Sequence, residues 1–209
     1  MTDFDLAALP ARATWVLAGD SITHGVFHTH GERSWAELLH ERVRWELDRV
    51  DDLVINAGVS GWTAAQVLAE YDWLIGRFAP DVLSLSLGTN DAAAGRDGLD
   101  AFQADLTEIA ERAKAGGARL VLHTPVLTLA DAPAWRREHL GAYAQSVWEV
   151  SNRVGATLVD HEEAWERELQ DAAPTAWMDD HTHPNAVGHR RMANLTLVTL
   201  GLGELEGRP

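Results

Sequence analysis

Thr14-Trp15-Val16-Leu17-Ala18-Gly19-Asp20-Ser21-Ile22-Thr23-His24-Gly25 is the stretch on which the reading of this chain turns. The apolar run at 14–17 has the length and branching of a buried strand. Gly19 then lets the backbone bend sharply, and a serine follows two residues later. In an open parallel α/β sheet, ligands bind beyond the carboxyl ends of the strands. Ser21 therefore stands where a nucleophile belongs. Gly-Asp-Ser is also an ordinary turn tripeptide, so the rest of the chain must decide between the two.

Outward from this turn, strands and helices alternate. Strands are predicted at 13–18, 52–56, 81–87, 118–123 and 156–160. Ser34 and Glu37 have capping-box spacing, and Trp35, Leu38, Leu39, Val43 and Leu47 recur at helical period, predicting a helix to about residue 51. Thr63 and Gln66 repeat that spacing and open a helix to about Phe78, stopped by Ala79-Pro80. Further helices are predicted at 100–114, 134–153, 162–170 and 185–201, with Gly116-Gly117 and Gly155 as stops. Leucine alternates with serine in the third strand, and its serines are expected against a closely packed helix. Crossovers of this length imply an α/β fold with a central five-stranded parallel sheet and helices on both faces. No linker or repeat divides the sequence. One domain over 1–209 is expected, with its core at about 13–202 and loosely held ends.

Composition narrows the function. A chain of 209 residues, 46% hydrophobic, is long enough for a full core. The formal net charge of −15 repels nucleic acid and anionic membrane surfaces, so neither is an expected partner. Arg136-Arg137 and Arg190-Arg191 are read as solvated helix faces. No cysteine is present, which removes disulfides, thiol nucleophiles and cysteine metal ligands. No apolar run approaches the ~20 residues of a membrane span, and the acidic Met1-Thr2-Asp3-Phe4-Asp5 is unlike a secretory signal. A cytoplasmic location is the expectation. The nine tryptophans are assigned mostly to core and helix packing.

The unusual residues fall at strand ends: Ser21 after the first strand, Gly58 and Gly61 after the second, Asn90 after the third. Asp180 and His183 precede the last helix. With these in view the chain resembles the SGNH (GDSL-type) esterases and lipases. The likeness rests on Gly19-Asp20-Ser21-Ile22, Asn56-Ala57-Gly58-Val59-Ser60-Gly61, Gly88-Thr89-Asn90-Asp91 and Asp180-His181-Thr182-His183-Pro184-Asn185. Each block is weak alone; four in the family's order, over nearly the whole chain, are specific. Ile22 replaces the leucine of the family name, and Thr89 stands where many members carry glycine.

The resemblance implies a three-layer flavodoxin-like sandwich and a serine esterase without a cofactor or metal. Ser21 would be the nucleophile, His183 the general base and Asp180 its orienting carboxylate. The Ser21 and Gly61 backbone N–H groups and the Asn90 amide would form the oxyanion hole. Physical chemistry agrees: a serine hydroxyl needs a base, imidazole titrates near neutrality, and a carboxylate on the far ring nitrogen fixes the tautomer. Asn90 donates without bringing a charge. Asp179 is an alternative orienting acid. Asp20, Asp91 and Asn56 are read as loop-holding groups, and His24 and Trp62 as borders of the substrate pocket.

Other readings use the same residues. His28-Thr29-His30 with Asp179-Asp180-His181-Thr182-His183 offers imidazole and carboxylate to zinc, as in a metal hydrolase, but leaves the serine and asparagine blocks without purpose. A glycan-binding module could stack sugars on Trp62, Trp135 or Trp177, but has no need of an acid behind a histidine. Within the esterase reading, the absence of a long apolar lid favours short acyl chains, with carbohydrate or other small polar esters as substrates. Lysophospholipase, thioesterase and acyltransferase activity are the alternatives on the same fold.

Overall fold

A computed structural model of the chain describes residues 4–170 and 172–205. In order, its main elements are β1 (Thr14–Gly19), α1 (Ser21–His24), α2 (Trp35–Glu41), β2 (Leu53–Gly58), α3 (Ala64–Ala69), α4 (Tyr71–Leu74), β3 (Val82–Ser86), α5 (Leu99–Ala115), β4 (Arg119–His123), α6 (Ala134–Arg137), α7 (Leu140–Val154), β5 (Thr157–Val159), α8 (His161–Leu169) and α9 (Ala186–Thr199). The strands form one parallel sheet in the order β2-β1-β3-β4-β5. This is the flavodoxin-like order. The chain moves outward from β1 to β2, then crosses back to place β3 on the other side of β1. Connections therefore diverge beyond the ends of β1 and β3, which opens a crevice there. Gly19 pairs with Gly58 on one side and with Ser86 on the other, so all three strands end at one rim.

The two-residue period of β1 divides the core. Val16 and Ala18 join Leu83, Leu85 and Leu122 on one face, under Val67 of α3, Ile109 of α5 and Val147 of α7. Trp15 and Leu17 face the other side with Val121 and Val159, under Trp35 and Leu39 of α2 and Met192 and Leu197 of α9. Strands buried on both faces read as continuous apolar runs, which is how the middle strands look in the sequence. The three-layer α/β fold is as expected.

Several details differ from expectation. The predicted 34–51 helix is α-helical only to Glu41 and continues as a π-helical turn, Arg42–Glu46. The 63–78 helix breaks at Glu70 (φ −104°, ψ 19°), and the 134–153 helix at His139 (φ −118°, ψ −17°). Val67, Tyr71, Leu74 and Ile75 still share the core, so the apolar period survives where the dihedrals do not. From Phe4 onward the N-terminal lead-in is pinned: Asp5 caps a short 3-10 turn, Leu6–Ala8, and the Phe4 ring lies 5.6 Å from that of Trp15; the outermost ends, 1–3 and 206–209, expected to be loosely held, lie outside the described residues. Tryptophan divides between core and surface. Trp15, Trp35, Trp165 and Trp177 are buried and Trp62 packs half-buried on the core, whereas Trp45, Trp73, Trp135 and Trp148 are exposed. Ser84 does more than admit a helix. It hydrogen-bonds His123 Nε2 (2.7 Å), whose Nδ1 lies 3.0 Å from His161 Nε2. Burial holds both rings neutral, lowering His161 to about 3.

Candidate active site

The turn after β1 becomes a single helical turn, α1. Asp20 caps it by accepting from Ile22 N (2.9 Å), and Gly25 closes it at φ 69°. Two glycines let α1 lie against the sheet. A Cβ on Gly19 would meet Thr23 Oγ1 and the Ser86 carbonyl; one on Gly58 would meet the His24 and Thr23 backbone. Asn56 braces the same turn by donating to the Thr23 carbonyl (2.8 Å) and accepts from Gly58 N (3.0 Å). Ser21 thus begins α1 at the rim, half-buried.

The segment before α9 returns to this rim. Asp179 N donates to the His183 carbonyl (2.8 Å), closing a tight turn, and Asn185 caps α9 through Val187 N (2.9 Å) and Gly188 N (3.1 Å). His183 Nε2 lies 2.9 Å from Ser21 Oγ. Its Nδ1 lies 2.9 Å and 3.0 Å from the two Asp180 oxygens. Asp180 Oδ1 also accepts from Thr182 N and His183 N, both at 2.7 Å. Burial would raise the Asp180 carboxyl; these backbone donors and the imidazole outweigh it and bring it down to about 2. It is therefore a carboxylate throughout the neutral range. His183 lies below its ordinary value because burial, aided by His28 and Arg136, outweighs the attraction of Asp180. A neutral imidazole with its proton on Nδ1 leaves Nε2 free to accept from the serine hydroxyl.

The second and third blocks meet beside them. Gly61 is exposed at φ 81°, and no atom comes within 4 Å of where a side chain would begin. Asn90 Nδ2 donates to the Trp62 carbonyl (3.1 Å) and, at 3.5 Å, reaches Asp20 Oδ2. The buried Asp91 carboxylate accepts from Gly88 N (3.0 Å) and Ala64 N (2.8 Å), fastening the Asn90 loop to the start of α3. His24 Nδ1 lies 3.0 Å from Ser60 Oγ, so this predicted pocket residue ties α1 to the Gly61 loop. The half-buried Trp62 ring packs on the core, while its carbonyl holds Asn90. Asp20 is fully buried, and burial raises its carboxyl to about 7 against the opposing Ile22 N–H.

Sequence reasoning missed two neighbours. Arg136 is half-buried rather than part of a solvated face: it donates to Thr182 Oγ1 in the turn carrying His183 and lies 4.6 Å over the Trp135 ring. His28 stacks on His183. Sequence reasoning placed His28 with 179–183 only as a zinc ligand and gave Arg136 no link to that segment. Asp179, the alternative acid, instead holds His28 Nδ1 (2.8 Å) and His30 Nε2 (2.6 Å). His28, Asp180 and His183 bring donor atoms within 4.8 Å of one another, the spacing of a metal site. The two rings are parallel, however, with in-plane lone pairs in separate planes, so one ion would require a ring to leave the stack. Of the tryptophans proposed for glycan stacking, Trp177 is buried edge-on against Trp165, and Trp135 is exposed.

A sheet of this order with a serine, a histidine and an aspartate gathered at its rim defines an α/β hydrolase of the serine type. The sequence pattern of the GDSL-like lipase/acylhydrolase family matches residues 17–191, and the chain belongs to that family. The acetylxylan esterase of Geobacillus stearothermophilus is 25% identical over 207 residues, covering 91% of this chain and 94% of that protein. The structure of a tryptophan-to-isoleucine variant of Axe2, an acetyl xylan esterase from the same organism, superposes with a TM-score of 0.80 at 20% identity, covering 95% of this chain and 99% of that one. LAE5, an α/β hydrolase from the metagenome of Lake Arreo, superposes at 0.77 with 24% identity, over 91% of this chain and 95% of that one. Esterase TesA of Pseudomonas aeruginosa is 32% identical over 112 residues, about half of either protein (54% each). Among the described residues, no helix is long and apolar enough to cross a membrane.

Proposed function

We propose that this chain is a serine esterase that hydrolyses carboxylic esters of short acyl chains, acetyl esters of carbohydrates foremost, through an acyl-enzyme. The observation that carries the reading is the continuous chain Ser21 Oγ, His183 Nε2, His183 Nδ1, Asp180, with each link 2.9 Å long. Ser21 Oγ attacks the acyl carbon as His183 Nε2 takes its proton. The carbonyl electron pair moves onto oxygen, where the Ser21 and Gly61 N–H groups and the Asn90 amide receive the negative charge. His183 then passes the proton to the departing alcohol. A water, deprotonated by His183, repeats the attack and frees the acid.

Asp180 takes no proton in this cycle; it fixes the tautomer and supports the imidazolium. Catalytic mutants of Axe2 carry alanine in place of a serine, an aspartate and a histidine, the last two three positions apart, as Asp180 and His183 are here. The acetyl-carbohydrate preference draws on the name of that relative, which aligns along almost its whole length. The open surroundings of Gly61 suit a small acyl group on a bulky polar alcohol. The acidic chain and a site built from neutral donors both favour uncharged esters over lysophospholipids.

The test is turnover of p-nitrophenyl acetate and an acetylated xylo-oligosaccharide by the parent and Ser21→Ala. The variant is expected to lose turnover and fluorophosphonate labelling, with its thermal midpoint within about 2 °C of the parent. Acyl release that persists in Ser21→Ala refutes the nucleophile. Turnover of butyryl but not acetyl esters refutes the acyl preference.

A further inference from the structure

Two in-plane hydrogen bonds hold His183, one at each ring nitrogen. They set the line between Ser21 and Asp180 but leave the ring free to roll about it. The imidazole of His28 lies flat on that ring, with centroids 3.8 Å apart and planes 5° from parallel. His28 is itself held. Its Nδ1 meets Asp179 Oδ2 (2.8 Å), and the other Asp179 oxygen meets His30 Nε2 (2.6 Å). The Phe27 ring closes edge-on against His28 at 5.1 Å. Asp179 N binds the His183 carbonyl. The contacts thus form a closed circuit: His183, its own turn, Asp179, His28, and back through the stack to His183.

The geometry points to His28 as a positioning residue for the general base, whose ring face, anchored by Asp179, stops His183 from rolling out of line with Ser21. This rests on the esterase reading and adds to it a group outside the serine, aspartate and oxyanion-donor set. A roll of His183 leaves Nε2 on the line but turns its in-plane lone pair away from the serine hydroxyl, and a small misalignment of a reacting group costs up to about 10²-fold in rate. Stacked aromatic rings resist being turned out of the parallel arrangement. The charged and titratable groups facing the stacked pair are Asp179 and Asp180 in the turn, His30 beside His28, Arg136 from α6 and His189 from α9. Of these, Arg136, like His28 itself, opposes a proton on His183, and Asp180 favours it.

The experiment compares His28→Phe, His28→Ala and Asp179→Asn with the parent, reading kcat, KM and the pH dependence of kcat/KM on p-nitrophenyl acetate. His28→Ala, which removes the ring, is expected to lower plateau kcat about tenfold with KM within about twofold. His28→Phe keeps a flat ring and is expected to stay within about threefold of the parent. It also removes the imidazole that opposes a proton on His183, so its acid limb is expected at higher pH than the parent's. Asp179→Asn leaves both rings and loosens the anchor, and its kcat is expected between the two. Plateau kcat in His28→Ala equal to the parent's overturns the proposal, as does His28→Phe falling as far as His28→Ala. An unchanged acid limb in His28→Phe also counts against it. Where a His28 variant does not fold, Asp179→Asn decides alone: parental kcat overturns the proposal and a reduced kcat at unchanged KM upholds it. Ser21→Ala in the same assay separates the two readings, because residual turnover there refutes the esterase chemistry whatever the His28 variants do.

Discussion

At the residue scale, Asn90 carries the sharpest expectation. Its amide nitrogen donates to the carbonyl of Trp62, the residue after the second block, and lies 3.5 Å from Asp20 of the first. A donor held by two loops cannot swing to follow a ground-state carbonyl, and in the proposed mechanism its value lies in the charged intermediate. Asn90→Ala is therefore expected to lower kcat by about 10²–10³ with KM little changed. Steady-state kinetics on an acetyl ester check this; a loss confined to KM would make Asn90 a ground-state contact. Ser21, Gly61, Asn90, Asp180 and His183 were the site expected from the sequence, because each sits in a short block with its own turn chemistry, and the fold brings Ser21, His183 and Asp180 within hydrogen-bond reach. The placing of Arg136 and of His28 on the His183 ring was not legible. They arrive by tertiary folding of α6 and of the 26–31 loop, neither of which has a fixed spacing to residue 183.

At the element scale, the crevice depends on how closely α1 approaches the sheet. A Cβ at position 58 meets backbone atoms of His24 and Thr23, which cannot move aside as a side-chain tip would. Gly58→Ala is expected to cost about 1–3 kcal/mol and to lower the thermal midpoint by about 2–4 °C for each of these. It should also reduce kcat, since the same displacement lifts Ser21 from His183. Calorimetry together with ester turnover checks both; a midpoint equal to the parent's would mean α1 is not seated as described. The flavodoxin-like strand order was implied by the family resemblance; strands, layers and helix starts followed from apolar period, crossover length and capping signals. The breaks at Glu70 and His139 and the π-helical turn at 42–46 did not. Periodicity reports which side of a segment is buried, and that side is the same whether or not the helix is continuous.

At the scale of the whole molecule, two carboxyl groups, one half-exposed and one buried, pull stability in opposite directions with pH. Asp180, lowered to about 2, favours the folded state once it ionises there. That contribution grows from about pH 2 to pH 4 and is lost on acidification. Asp20, raised to about 7 by burial, keeps its proton in the folded state after the unfolded chain has released it near pH 4. Stability then falls as pH rises from about 4 to 7. Asp20→Asn is expected to flatten that second slope and leave the first. Thermal midpoints measured across pH 3–8 check it, and an identical profile in the variant would contradict a protonated Asp20.

The hydrogen bond between Ser21 and His183 joins positions 162 residues apart, from the first strand's exit to the threshold of the last helix. The pair is therefore a gauge of long-range closure: an opening that draws the turn before α9 off the rim parts imidazole from hydroxyl even while the strands stay paired.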